Sequence, residues 1–222
     1  MNKKVLQINT VVNTTSTGRI TEEIGLTAMS NGWESYIAYG RNIRPSASNL
    51  IKIGNDIDIK LHGLQTRLFD RHGLASKGAT IKLIQEIKTI NPNIIHLHNI
   101  HGYYLNYEIL FEYFSVANIP TVWTFHDCWP ITGHCVYFSY VGCEKWKTQC
   151  YKCPQKTLYP ASYIIDRSKK NYNLKKESFN SLSNLTLVPV SQWLSGILND
   201  SFLQNYPIKT IHNGVNTEVF KP

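Results

Sequence analysis

Residues 93–127 read NIIHLHNIHGYYLNYEILFEYFSVANIPTVWTFHD, and this stretch decides the fold. Asn93–His98 is an apolar run of strand length that opens after the helix-breaking pair Asn91-Pro92. Asn106–Ala117 then sets Ile109, Leu110, Tyr113, Phe114 and Ala117 on one helical face, and Pro120 leads into a second strand, Thr121–Phe125. A strand, a helix and a strand in that order make a crossover unit, which parallel pairing requires. Both strands end in histidine, at His98 and at His126.

The same alternation extends outward. Upstream, Val5–Val12 is predicted as a strand, Asn13–Gly18 as a loop, and Ile20, Ile24 and Ala28 as the buried face of a helix ended by Asn31-Gly32. Strands over Trp33–Tyr39 and Leu50–Ile53 follow, then helices over Ile57–Phe69 and Ile81–Ile90, the latter with Leu83, Ile84, Ile87 and Ile90 inward. Downstream, the pattern predicts a basic helix over Asp166–Leu182, a strand over Leu185–Val190, a helix over Gln192–Phe202 and a last strand over Ile208–Ile211. The fold class is α/β, a doubly wound and mostly parallel sheet, with ligands expected beyond the carboxyl ends of the strands.

Composition narrows the functional classes. With 42% hydrophobic residues and no run near the roughly 18 apolar residues of a membrane span, a transmembrane protein is excluded. Thirteen Tyr, eight Phe and five Trp exclude a disordered chain. Met1–Thr10 lacks the apolar core and cleavage site of a signal peptide, so a cytoplasmic location is expected. In that reducing setting five cysteines point to metal ligation or inert burial. The net charge of +8 favours an anionic partner: nucleic acid, a phosphorylated small molecule or an acidic membrane face.

Four groups of residues carry chemistry. The loop Asn13–Gly18 meets a helix N-terminus, which suits an anion or an ordinary capped turn. His96, His98 and His101 stand at one strand end, with His96 and His98 on one face and Leu97 on the other. His126-Asp127 closes the next strand, so His126 is expected at the same crevice, able to bond a substrate hydroxyl or a developing charge, with Asp127 orienting it or binding a sugar hydroxyl.

All five cysteines fall within Cys128–Cys153. Cys135, Cys143, Cys150 and Cys153 are the expected ligands of a structural zinc, with Cys128 left beside the cleft; packed, reduced thiols are the alternative. Finally Lys145, Lys147, Lys152, Lys156, Arg167, Lys169, Lys170, Lys175 and Lys176 are interleaved with Trp146, Tyr151, Tyr159, Tyr163 and Tyr172. That run suits nucleic acid, an anionic bilayer or a solvated helical face.

The motifs HNIHGYYLN (98–106), TFHDCWP (124–130) and IHNGVNTEVFKP (211–222), in this order, resemble the family 4 glycosyltransferases of GT-B architecture, nearest the branch of capsule and exopolysaccharide assembly. The resemblance implies a Rossmann-like, acceptor-side domain over 1–212, with a Cys-rich insert at 128–160. Residues 213–222 would begin a linker to a donor-binding domain that this chain lacks. It implies retaining transfer from a nucleotide-sugar donor to a glycan or lipid-linked acceptor, with no metal in the transfer itself. By position His126 would be catalytic; His101, Tyr103, Asn106 and Asp127 would bind the acceptor or sugar; Thr17, Gly18 and Arg19 would approach the donor phosphates. Peripheral association with an anionic inner membrane is a further expectation, and nucleic acid is not an expected partner. The competing reading is a zinc-stabilised basic module that binds nucleic acid or an anionic membrane.

Overall fold

A computed structural model describes residues 2–215 and residue 217. Six strands form one sheet: β1 (Lys4–Asn9), β2 (Glu34–Tyr39), β3 (Asn49–Lys52), β4 (Ile94–Leu97), β5 (Thr121–Phe125) and β6 (Leu185–Pro189). Their order is β3-β2-β1-β4-β5-β6, and every pair is parallel. This is a Rossmann-like α/β sheet whose order reverses between β1 and β4, where two crossovers part and leave a crevice at the strands' carboxyl ends.

The six α-helices are α1 (Thr15–Ser30), α2 (Asp56–Phe69), α3 (Lys77–Ile90), α4 (Tyr107–Ala117), α5 (Ser168–Phe179) and α6 (Gln192–Asn199). α4 packs between α3 and α5, while α1 lies against β1 and β2.

Register makes the two faces of the central sheet chemically different. One carries Leu6, Ile8, Ile95, Leu97, Trp123 and Phe125, all essentially inaccessible to water. Trp123 meets Phe111 of α4 and Phe179 of α5 with ring centroids 5.5 and 4.9 Å apart. Each such side chain contributes about 1.5–3 kcal/mol on burial, so this aromatic layer anchors the helices. The other face carries Gln7, His96, His98 and Thr124, a polar ladder inside a buried sheet that must find its hydrogen bonds internally.

Several boundaries differ from the sequence expectation. β1 ends at Asn9, not Val12, which forms only an isolated parallel bridge with Ile43. The expected strand Ile208–Ile211 runs parallel to β6, the Lys209 and Ile211 N–H groups donating to the carbonyls of Leu187 and Pro189 at 2.9 and 3.1 Å, although only Ile208 with Leu187 completes a bridge. α5 and α6 are shorter than the apolar periodicity suggested, ending at Phe179 and Asn199, and α3 starts earlier, at Lys77. The expected linker at 213–222 lies largely outside the described residues.

Candidate active site

The carboxyl ends of β1, β4 and β5 are adjacent, and the side chains there form a relay whose proton positions follow from its fixed end. Gln7 of β1 is fully buried and its amide Nε2 donates to the Thr21 carbonyl of α1 at 2.8 Å, which orients Oε1 toward His98. Oε1 can only accept, so His98 Nε2, 3.2 Å away, carries the proton. Burial, then the neighbouring imidazoles, lowers the His98 pKa well below its ordinary value, so the ring is neutral and Nδ1 is a lone pair. That lone pair accepts from His126 Nε2 at 3.2 Å.

His126 is itself neutral, its pKa lowered by burial to about 4 despite the opposing pull of Asp127. Its remaining nitrogen, Nδ1, therefore offers a lone pair, with no protein partner among the described residues. His96 stacks on His98 with centroids 4.2 Å apart and bonds Thr124 Oγ1 at 2.8 Å, which fixes the ladder sideways.

A second pair flanks the first. His101 Nε2 donates to Asp127 Oδ2 at 2.8 Å, and Asp127 Oδ1 accepts the Trp129 N–H at 2.9 Å. Burial alone would raise the Asp127 pKa, but the His101 ring and the Trp129 N–H outweigh it and hold the carboxyl below the usual range. Both carboxylate oxygens are engaged. Asp127 therefore positions His101, and its carboxylate keeps further lone pairs beside the two bonds it accepts. His101 Nδ1 faces the Tyr159 hydroxyl at 3.4 Å.

The loop from His98 to Asn106 is held in unusual backbone. Gly102 has φ +120°, and a Cβ there would stand 2.8 Å from Thr10 Cγ2, so only glycine fits. Tyr103 follows at φ +72°, a strained value for an L-residue. Thr10 Oγ1 ties the loop to the end of β1 through the carbonyls of Asn99 (2.9 Å) and His101 (2.6 Å). The half-buried Tyr103 ring lies 4.9 Å from His72 and 6.2 Å from Tyr159, with the Arg41 guanidinium 5.8 Å from its centre.

His126, His101, Asp127 and Tyr103 thus come together as the sequence suggested, whereas Asn106 does not. Asn106 is fully buried and caps α4, its Oδ1 accepting from Ile109 N–H and its Nδ2 donating to the Leu74 carbonyl. With no surface open to solvent it does not meet a ligand, which corrects its expected acceptor role. Thr17, Gly18 and Arg19 form the first turn of α1 rather than a loop. Gly18 packs so closely on the preceding bend that a Cβ would meet Val11 Cγ2 at 3.0 Å, and Thr14 provides no side-chain cap to the helix.

The basic aromatic run is also corrected in part: Trp146, Tyr172 and Lys175 are buried in the protein, not presented to a partner. Among the described residues no three His, Cys, Asp or Glu side chains stand as a formed metal cage. Among the described residues, the concavity walled by Asn173, Lys176, Glu177 and Tyr206 is lined by no histidine.

A sheet wound in this order, with two strand-end histidines meeting at its crevice, invites comparison with known proteins. The model of Glycosyltransferase Family 4 matches residues 18–219. The chain belongs to glycosyltransferase family 4. It is 29% identical over 157 residues, 68% of its own length, to a protein of Escherichia coli (strain K12) named as a colanic acid biosynthesis glycosyl transferase, WcaC. The match spans 37% of that relative, so the chain covers little more than a third of its length.

Sequence reasoning on this family 4 chain missed Gln7, His72 and Tyr159. Gln7 had a signal, because Gln7 and Asn9 break an otherwise apolar strand at a spacing of two. His72 had none: it follows α2 in a loop and reaches the site only through the fold. It accepts the Gly102 N–H at Nε2 (3.2 Å) and keeps an unpaired, buried Nδ1.

Proposed function

We propose that this chain forms the acceptor-side half of a two-domain GT-B glycosyltransferase, which moves a sugar with retention from a nucleotide-sugar donor to a glycan or lipid-linked acceptor in surface polysaccharide biosynthesis. The observation that carries the reading is the lone pair at His126 Nδ1, directed by the chain Thr21–Gln7–His98 and free for a ligand at the switch point of the sheet. A neutral imidazole there accepts a hydrogen bond from a sugar hydroxyl and holds it in line, without the repulsion a cation would exert on oxocarbenium-like charge. The family match and the relative named for colanic acid biosynthesis support the same class.

Within this reading, the uncapped first turn of α1 at Thr17, Gly18 and Arg19 approaches the donor phosphates, and a second domain supplies the remaining donor contacts. Tyr140, Tyr151 and Tyr163 are exposed among the lysines of the segment after β5. They support a cytoplasmic protein that sits against an anionic membrane surface, where a lipid-linked acceptor would be met.

The test is a transfer assay on the protein extended to the length of its relative, with a panel of UDP-, GDP- and dTDP-sugars. Turnover that falls about 10²–10⁴-fold in His126→Ala supports the reading. Undiminished turnover in that variant overturns the role of His126, and full turnover by residues 1–222 alone overturns the two-domain assignment.

A further inference from the structure

The loop that carries His101 and Tyr103 is fastened to two neighbouring strand ends. Thr10, just past β1, holds it through the carbonyls of Asn99 and His101. Gly40, just past β2, holds it by contact: a Cβ there would fall 2.3 Å from Tyr104 Cγ, so the Tyr104 ring lies directly on the backbone. The N–H groups of Gly40 and Arg41 both donate to the Thr10 carbonyl, at 3.1 and 2.7 Å. These ties bring the Arg41 guanidinium over the Tyr103 ring, 5.8 Å from its centre.

Three observations meet at Tyr103. Its φ of +72° is strained, and strain of this kind persists only where the surroundings impose it, most often at ligand clamps and active sites. Arg41 beside it is half-buried and unpaired. Its Nε is enclosed without a hydrogen-bond partner, and no carboxylate reaches ion-pair distance of the guanidinium among the described residues. His72, 4.9 Å from the Tyr103 ring and 5.7 Å from that of Tyr159, is a second donor without an acceptor. The Gly102 N–H donates to its Nε2, so the buried, neutral ring carries its proton on Nδ1, where no partner stands.

The surroundings of Tyr103 therefore hold donors in excess of acceptors. Lys52 at the end of β3 adds a further cation, its Nζ on the Gly40 carbonyl at 2.7 Å. A guanidinium drawn part-way out of water with no counter-ion suits the paired oxygens of a carboxylate or phosphate. The rings of Tyr103 and Tyr159, 6.2 Å apart, add apolar surface for the body of a sugar.

We propose that Arg41, beside Tyr103, binds an oxyanion of the acceptor, so that the acceptor is an acidic molecule. This rests on reading the chain as an acceptor-side domain. Strand order places the anion: β2 and β5 stand three positions apart in the sheet, about 14 Å at the usual strand spacing. Arg41 follows β2 and His126 follows β5. The anion thus belongs to a unit beside the sugar that reacts, either an acidic sugar of a glycan or the diphosphate of a lipid carrier.

Nuclear magnetic resonance titrations of the 222-residue chain test this, with methyl glucuronide, inorganic diphosphate and the neutral methyl glucoside as probes. At least one anion should shift the Arg41 Nε–H resonance to saturation, at concentrations where the glucoside leaves it unmoved. Arg41→Gln, which keeps an N–H donor but not the charge, should weaken that binding by about tenfold or more. Tighter binding of the glucuronide supports an acidic sugar, and tighter binding of diphosphate supports a lipid-linked headgroup. No shift with either anion, an equal response to the glucoside, or affinity unchanged in Arg41→Gln would each overturn the proposal. The Arg41 resonance is read in the unsubstituted chain, so the result stands even where the variant does not fold. Binding is read without turnover, so failure of this subsite and failure of the transferase reading are told apart.

Discussion

Replacing Gln7 by methionine keeps the shape of a fully buried side chain and removes both ends of its amide. Two bonds go: Nε2 to the Thr21 carbonyl at 2.8 Å and His98 Nε2–H to Oε1 at 3.2 Å. The Thr21 carbonyl lies in the first half of α1 and keeps its helical partner, so its loss is that of an ordinary bond, about 0.5–1.5 kcal/mol. The His98 N–H is left without an acceptor in a dry interior, at about 1–3 kcal/mol. The sum, roughly 1.5–4.5 kcal/mol, lowers the melting temperature of a chain this size by roughly 3–18 °C.

His98 has one escape, which is to move its proton to Nδ1. That places an N–H against His126 Nε2 and forces His126 to carry its own proton at Nδ1, so a donor replaces the lone pair offered to a ligand. Long-range ¹H–¹⁵N correlation spectra of the imidazoles separate the two tautomers directly. The unsubstituted chain should show the Nε2–H form at both His98 and His126, and Gln7→Met should shift both to Nδ1–H. Gln7→Glu, which still accepts from His98, should retain the original pair. An Nδ1–H tautomer at His126 in the unsubstituted protein, or tautomers unmoved by Gln7→Met, would refute the relay.

The buried histidines predict acid lability. Burial first, with neighbouring charges after it, lowers His62 to about 3, His96 and His126 to about 4, and His72 and His98 well below their ordinary value. The folded state therefore binds fewer protons than the unfolded one below pH about 6.5, and stability present above that pH is lost as pH falls toward 4, at up to about 1.4 kcal/mol per pH unit for each ring. His134 has the opposite sign, because Asp70 at 2.7 Å overcomes its burial and raises its pKa. Its contribution is complete below pH about 6.5 and fades above, so it does not soften the acid limb. Calorimetric melting between pH 7.5 and 4.5 checks this, and a flat profile refutes it. Asp127→Asn leaves His101 without its ionic acceptor; a loss of about 1–3 kcal/mol in denaturant unfolding is expected, with a changed His101 imidazole signal. Gly133→Ala drives a methyl into the Ser168 carbonyl and Cys150 and should cost about 1–3 kcal/mol, whereas Gly196→Ala, where a Cβ meets nothing within 4 Å, should not destabilise the chain.

Local pattern was enough for the elements. Period-two and helical spacings are properties of neighbouring residues, so β4, α4 and β5 could be read from residues 93–127, and the strand-end positions of His98 and His126 came with them. Boundaries failed where a partner, not a propensity, ends the element: Val11 and Val12 prolong the apolar run of β1, but Val12 pairs only with Ile43 in an isolated bridge. Asn106 reads in sequence as one more polar residue after two histidines, and only its burial between Leu74 and Ile109 shows it to be a helix cap.

The sequence by itself determined that the chain alternates strand and helix, that two adjacent strands run out into histidines, and to which family its motifs belong. Tertiary structure decided which nitrogen of which histidine is left without a protein partner among the described residues. Gln7 and His98 are 91 positions apart and His98 and His126 are 28 apart, and they touch because β1, β4 and β5 are neighbours in the sheet. A proton's position on an imidazole is set by the acceptor opposite it, and strand order alone brings that acceptor there.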